Sequence, residues 1–169
     1  MLARLLLLPF FLVAGAFAVP AAAAVAVAFT NPDRYTDVGK HYAQAEVAQR
    51  EIEGFLKQLG KHYLAPGQTL VVEVLDIDLA GRYEPRGPNL RELRIVRDQA
   101  DFPLLKLRYV LKAEDRILAA GEDIVTDRVY RFHSSAPSSN EPMSYEKRML
   151  REWFIARFTE RRNAGPVAR

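Results

Sequence analysis

The chain has 169 residues, with 24 Lys and Arg against 21 Asp and Glu, a formal net charge of +3 and no cysteine. A charge so close to balance gives no case for nucleic-acid binding, which needs a concentrated basic surface. The absence of cysteine excludes disulfides, lipoprotein acylation and thiol chemistry, so the core must hold without covalent staples.

The first two dozen residues have the three zones of an export signal. Arg4 supplies the positive start, Leu5 to Val19 an apolar stretch, and Pro20 to Ala24 a small-residue run suited to peptidase cleavage. Leu5 to Val27 approaches the length of a membrane span, but Ala dominates its second half and no basic cluster follows. The expectation is a cleaved signal over 1–24, with Ala18 as the alternative cleavage point. A periplasmic protein of a Gram-negative envelope follows, with no integral membrane segment after cleavage. The remaining chain, about 145 residues, is the length of one domain.

Val25 to Phe29 alternates large and small residues and predicts a strand, which Asn31, Pro32 and Asp33 end. Lys40 to Leu59 predicts a helix, because Ala45, Ala48, Ile52, Phe55, Leu56 and Leu59 recur at three-and-four spacing, with Gly60 as its C-cap. Thr69 to Leu79 is the strongest strand signal. Leu70, Val72 and Val74 lie on one face, and Val71, Leu75, Ile77 and Leu79 on the other. Gly81 to Asn89, with two Gly and two Pro, predicts a loop, and Leu90 to Arg97 a shorter strand. Leu104 to Lys112 alternates apolar and basic residues. A turn at Ala113 to Arg116 leads into Ile117 to Thr126, where Gly121 suggests a bulge. Residues 134–142 read as a mobile loop. Tyr145 to about Arg162 predicts a last helix capped by Ser144, with 163–169 as a disordered tail. Trp153 is expected to pack with Phe154, Met149 and Ile52 or Phe55.

The order β-α-β-β-β-β-α predicts a single α+β domain over 25–162. It is a two-layer sandwich whose mixed, mostly antiparallel sheet carries two helices on one face.

Five ordered blocks carry a resemblance: Phe29-Thr-Asn-Pro-Asp-Arg-Tyr-Thr-Asp37, Asp76-Ile-Asp-Leu-Ala-Gly81, Leu107-Arg-Tyr109, Gly121-Glu122 with Thr126-Asp127, and Tyr145-Glu-Lys-Arg148 with Trp153-Phe154. Together they resemble domain-of-unknown-function family 3016, small exported proteobacterial proteins without assigned function. The resemblance spans essentially the whole chain after the signal. It implies an envelope location and a single domain, and supplies no catalytic residues. The family pattern has Asn-Tyr after its Thr-Asp block, where this chain has Arg128-Val129-Tyr130.

Catalytic parts are scarce. The five serines (Ser134, Ser135, Ser138, Ser139, Ser144) fall in one polar stretch, and no G-x-S-x-G elbow occurs. His41, His62 and His133 have no metal-ligand spacing, and His41 and His62 bracket the first helix, about 30 Å apart at 1.5 Å per residue. No metal site and no cofactor motif are expected. Asp76 and Asp78 share a strand face about 6.5–7 Å apart, a separation that suits an inverting glycosidase pair. Solvation of a strand end accounts for them as well. Arg94, Lys106, Arg108 and Lys112 form an expected basic stripe on the sheet face opposite the core. It is open to an anionic partner, or to Glu92 and Glu122 as cross-strand partners. If the first two strands are parallel, Asp33, Tyr35 and Asp37 gather with Asp78, Arg82, Tyr83 and Arg86 beyond their carboxyl ends, where ligands bind in α/β arrangements. The leading expectation is a non-catalytic accessory module that binds an unknown envelope protein or polar ligand. The alternative is a carboxylate-based hydrolase of a glycan or phosphoester.

Overall fold

The computed structural model describes residues 22–37, 42–86, 91–96, 101–132 and 141–159. Residues 1–21 of the expected export signal, His41, His133, most of the 134–142 segment and the 163–169 tail lie outside these residues.

The elements follow as β1 (Ala24–Phe29), one 3₁₀ turn (Pro32–Arg34), α1 (Tyr42–Tyr63), β2 (Gln68–Asp78), β3 (Arg82–Arg86), β4 (Arg91–Ile95), β5 (Leu104–Ala113), β6 (Arg116–Thr126) and α2 (Ser144–Phe158). Four strands form one sheet in the order β1-β2-β5-β6. β1 and β2 run parallel, joined by the α1 crossover, and β2, β5 and β6 form an antiparallel meander. The result is a mixed α+β sheet with α1 and α2 packed on one face.

Strand alternation decides which residues enter the core. Val25, Val27 and Phe29 of β1 pack against it. Leu70, Val72 and Val74 of β2, and Leu105, Leu107, Tyr109 and Leu111 of β5, are buried. The apparent switch of apolar face along β2 has a local cause. A register shift between Val74 and Asp76 inserts Leu75 as an extra residue, and the bulge returns Ile77 and Leu79 to the core, where both are buried. α1 contributes Ala45, Ala48, Ile52, Phe55, Leu56 and Leu59 at the expected spacing, and α2 adds Met149, Leu150, Phe154 and Phe158.

Four local expectations are corrected. Gly60 does not end α1, which continues to Tyr63. A Cβ at Gly60 would stand 2.1 Å from Val25 Cγ2, so the glycine lets β1 approach the helix instead. The Gly81–Asn89 segment is not all loop. β3 and β4 pair as a separate hairpin outside the main sheet, and Pro85 is accommodated because a two-stranded ribbon leaves one side of each strand unpaired. Gly81 enters this hairpin at φ 76°, and a Cβ there would stand 2.3 Å from the Ile95 carbonyl oxygen, so both dihedral and space require glycine. The irregularity in β6 falls opposite Leu111 and Lys112 and leaves Leu118 as the extra residue, while Gly121 pairs in register with Tyr109. Last, α2 has no side-chain cap from Ser144. Met143, in a left-handed conformation, holds the N-cap position.

Trp153 turns toward the sheet edge. Its ring meets Tyr109, Phe158 and Phe154 edge-on at centroid distances of 5.9, 5.3 and 6.2 Å. Its indole N–H donates to Asp123 Oδ2 of β6 at 2.9 Å. An aspartate on the inner face of an edge strand needs such partners, and Arg157 supplies a second at 2.7 Å.

Candidate functional site

Because β1 and β2 are parallel neighbours, the segment leaving β1 lies along the last turns of β2. Three hydrogen bonds to β2 carbonyls fix it there: Thr30 N–H donates to the Val74 carbonyl at 3.0 Å, Tyr35 Oη to the same carbonyl at 2.8 Å, and Asp37 N–H to the Ile77 carbonyl at 3.2 Å. Tyr35 is therefore a buried strut, and burial pushes its phenol up to about 12. Asp76 accepts from Thr36 N–H at 2.8 Å and Thr36 Oγ1 at 2.7 Å, with Ile77 N–H at 2.9 Å on the oxygen that takes the Thr36 amide. Both of its oxygens are engaged in shaping the loop.

Asp78 is different in kind. Burial pushes its carboxyl up to about 6, with repulsion from Asp37, Asp76 and Asp101 adding to the effect. Asp37, Asp76 and Asp101, from three separate segments, thus act on Asp78 at the end of β2, and Gly81 N–H donates to the Asp101 carbonyl at 2.9 Å to bring the last of them in. Sequence reasoning did not include Asp101. Its neighbours predict only a turn, and the contact spans chain segments with no shared periodicity. Asp33 sits exposed in the 3₁₀ turn nearby. Arg82 and Arg86 open and close β3, which leads away from this edge. No group of three or more acidic or histidine side chains suited to a metal occurs among the described residues.

The basic stripe separates into two unrelated parts. Arg94 is not on the main sheet face. It lies in β4, where Nε donates to the Ala80 carbonyl at 2.7 Å and both terminal nitrogens meet the carboxylate of Glu146, fully buried at the start of α2. The β3–β4 hairpin leaves the sheet at Gly81, so the alternation that groups Arg94 with β5 does not carry across it. Lys106, Arg108 and Lys112 do share the outer face of β5, but two glutamates interleave with them. Arg108 donates to Glu73 at 2.7 Å and Glu122 at 3.2 Å, and Lys106 pairs with Glu122 at 3.0 Å. The Thr30 hydroxyl, then Arg108, hold Glu73 below the usual carboxylate range, and Lys106, then Arg108, do the same for Glu122. The face carries a balanced charge row. Lys112 lies apart from it, exposed at the far end of β5.

Two further ion pairs serve the frame. Asp127 accepts from Arg148 at 3.0 Å, and Arg148 also donates to the Tyr130 carbonyl at 2.6 Å. Lys147 reaches Glu51 of α1 at 2.8 Å.

This arrangement defines a two-layer α+β domain with a carboxylate-rich edge and a charge-balanced open face. A model of the family described as protein of unknown function (DUF3016) matches residues 23–156, and the chain belongs to that family. No curated protein and no solved structure matches the chain. Among the described residues no helix is long and apolar enough to cross a membrane.

Proposed function

We propose that the chain is an exported periplasmic module that binds rather than catalyses, and that it holds its partner at the edge where β1 and β2 end. The observation that carries this reading is the rigid seating of the Thr30–Asp37 segment on β2. That seating holds Asp37 beside Asp78 at the end of β2, which supports the reading because an edge arranged in advance would lose little ordering entropy on binding. Carboxylates gathered there suit a polar or cationic group, either on a small molecule or on an envelope protein, and Arg82, four positions on from Asp78 at the start of β3, adds the opposite charge. Export is supported by the zoned sequence before β1. Cleavage after Ala23 leaves β1 whole. The native protein should then start near Ala24 or Val25 by intact mass. A retained Met1 on a cytoplasmic protein would end the export part of the proposal.

One observation favours the hydrolase alternative: a carboxyl raised to about 6 is in the range of a general acid. Against it, the second carboxylate, Asp76, spends both oxygens on Thr36 and the backbone. The cavities beside His62 and beside Pro66 are lined by none of Asp37, Asp76, Asp78 and Asp101. Periplasmic cross-linking separates the two readings. Asp78→Ala with Arg82→Ala should lose captured partners while keeping the wild-type circular dichroism spectrum. Normal capture by that variant overturns the binding site. Turnover of a glycan or phosphoester that depends on Asp76 and Asp78 establishes the enzyme instead.

A further inference from the structure

A second site lies away from the aspartate edge, where the last turns of α1 meet α2. Phe55, Leu59 and Tyr63 form the floor of a groove of about 390 Å³, and Lys61, His62 and Arg151 stand on its rim. That volume falls near the lower end of the roughly 300–1,000 Å³ range of small-molecule sites. Its lining contains no acidic residue.

The rim cations differ from several others among the described residues. Arg94, Lys106, Arg108, Lys147, Arg148 and Arg157 are each committed to a carboxylate. Lys61 and Arg151 have no acidic partner among the described residues. Arg151 instead places its guanidinium over the Phe55 ring, 5.3 Å from the centroid, which keeps the charge at the mouth of an apolar floor. His62 is set edge-on against Tyr63 at 4.6 Å, which orients the imidazole at the same mouth. The negative end of the α1 dipole also points here and opposes an anion. Two full charges outweigh the half-charge of a helix end, so the rim remains attractive to anions overall.

We propose that this groove binds a small amphipathic anion: a phosphate or carboxylate held between Lys61 and Arg151, with a short apolar chain laid on Phe55, Leu59 and Tyr63. Floor and rim are both needed. A free inorganic anion has nothing to place on the floor, and an uncharged chain leaves the cations solvated and idle.

The test is calorimetric titration of the full exported chain with octyl phosphate below its micelle concentration, beside inorganic phosphate and 1-octanol. Octyl phosphate should bind one to one and at least tenfold more tightly than either comparison. Lys61→Gln and Arg151→Gln should each weaken it about fivefold, the two together more than tenfold. Gln58→Trp, which fills the groove from an exposed lining position, should abolish binding while circular dichroism stays unchanged. Equal affinity for inorganic phosphate, equal affinity for octanol, or unchanged binding by the two charge variants each overturns the proposal. So does attachment to anionic vesicles without binding of monomeric octyl phosphate, which would mark a membrane surface and not a ligand groove.

Discussion

Arg94 and Glu146, 52 positions apart in the chain, form the bond that ties the β3–β4 hairpin to the body of the domain. Glu146 is wholly buried and also accepts the Ala80 N–H at 2.9 Å, so hairpin, β2 terminus and α2 meet at one carboxylate. Removing one partner leaves the other charge buried and unpaired. Glu146→Leu or Arg94→Met alone should cost about 3–5 kcal/mol in urea unfolding, whereas the double replacement should recover most of that loss. Additive losses in the double variant would show that the two side chains act separately.

Asp78 makes stability depend on pH in an identifiable window. Its folded value is about 6 against an ordinary 3.8, so between those values the folded chain keeps a proton that the unfolded chain has lost. Protons bound in excess by the folded state make stability fall as pH rises. The penalty is absent below about 3.8 and complete above about 6. Asp78→Asn should therefore be more stable than wild type at pH 7 and gain little at pH 4. Parallel stability curves for the two proteins across this window would disprove the assignment.

Gly60 and Val25 form a steric pair across α1 and β1. Ala usually stabilises a helix interior over Gly by about 1 kcal/mol. Here a Cβ would stand 2.1 Å from Val25 Cγ2, and overpacking of this kind costs about 1–3 kcal/mol. Gly60→Ala should destabilise, and the same change in a Val25→Ala background should be neutral or favourable. Thermal unfolding of the four proteins closes the cycle.

Trp153 contributes through both ring and N–H. Trp153→Ala should cost about 3 kcal/mol, near the lower bound for truncated aromatics because the ring is only half-buried. Trp153→Phe keeps much of the edge-on packing and leaves Asp123 to Arg157 alone, so about 1 kcal/mol is expected. Chemical denaturation measures both. A loss below about 1 kcal/mol for Trp153→Ala would make the residue available for binding instead.

Much of the fold was legible from local pattern. The stripe from Ala45 to Leu59 and the alternation from Leu105 to Leu111 each have one period and one buried face, which burial alone imposes. The fold class follows from their order along the chain. The aspartate edge was legible in part: Asp33, Tyr35, Asp37 and Asp78 follow from a parallel β1–β2 pair. Asp101 does not, because it arrives from an irregular segment. Nothing in the local pattern marks Lys61 and His62 as groove residues, since the rim they share is completed by Arg151 of α2.

The sequence by itself determined the periodic elements, the cysteine-free core and the family, because each depends on residues near one another or on ordered blocks. Only the tertiary structure decided where the phase of alternation breaks and which charges meet. The bulge at Leu75 turns Ile77 and Leu79 inward, and the departure of the hairpin at Gly81 takes Arg94 from the sheet face to Glu146. The motif blocks pair in the fold as well: Thr36 with Asp76, and Asp127 with Arg148. Alternation predicts a side chain's direction only while the strand keeps its register. One inserted residue or one glycine corner resets it, and the pairing of distant charges is then set by packing that no local window contains.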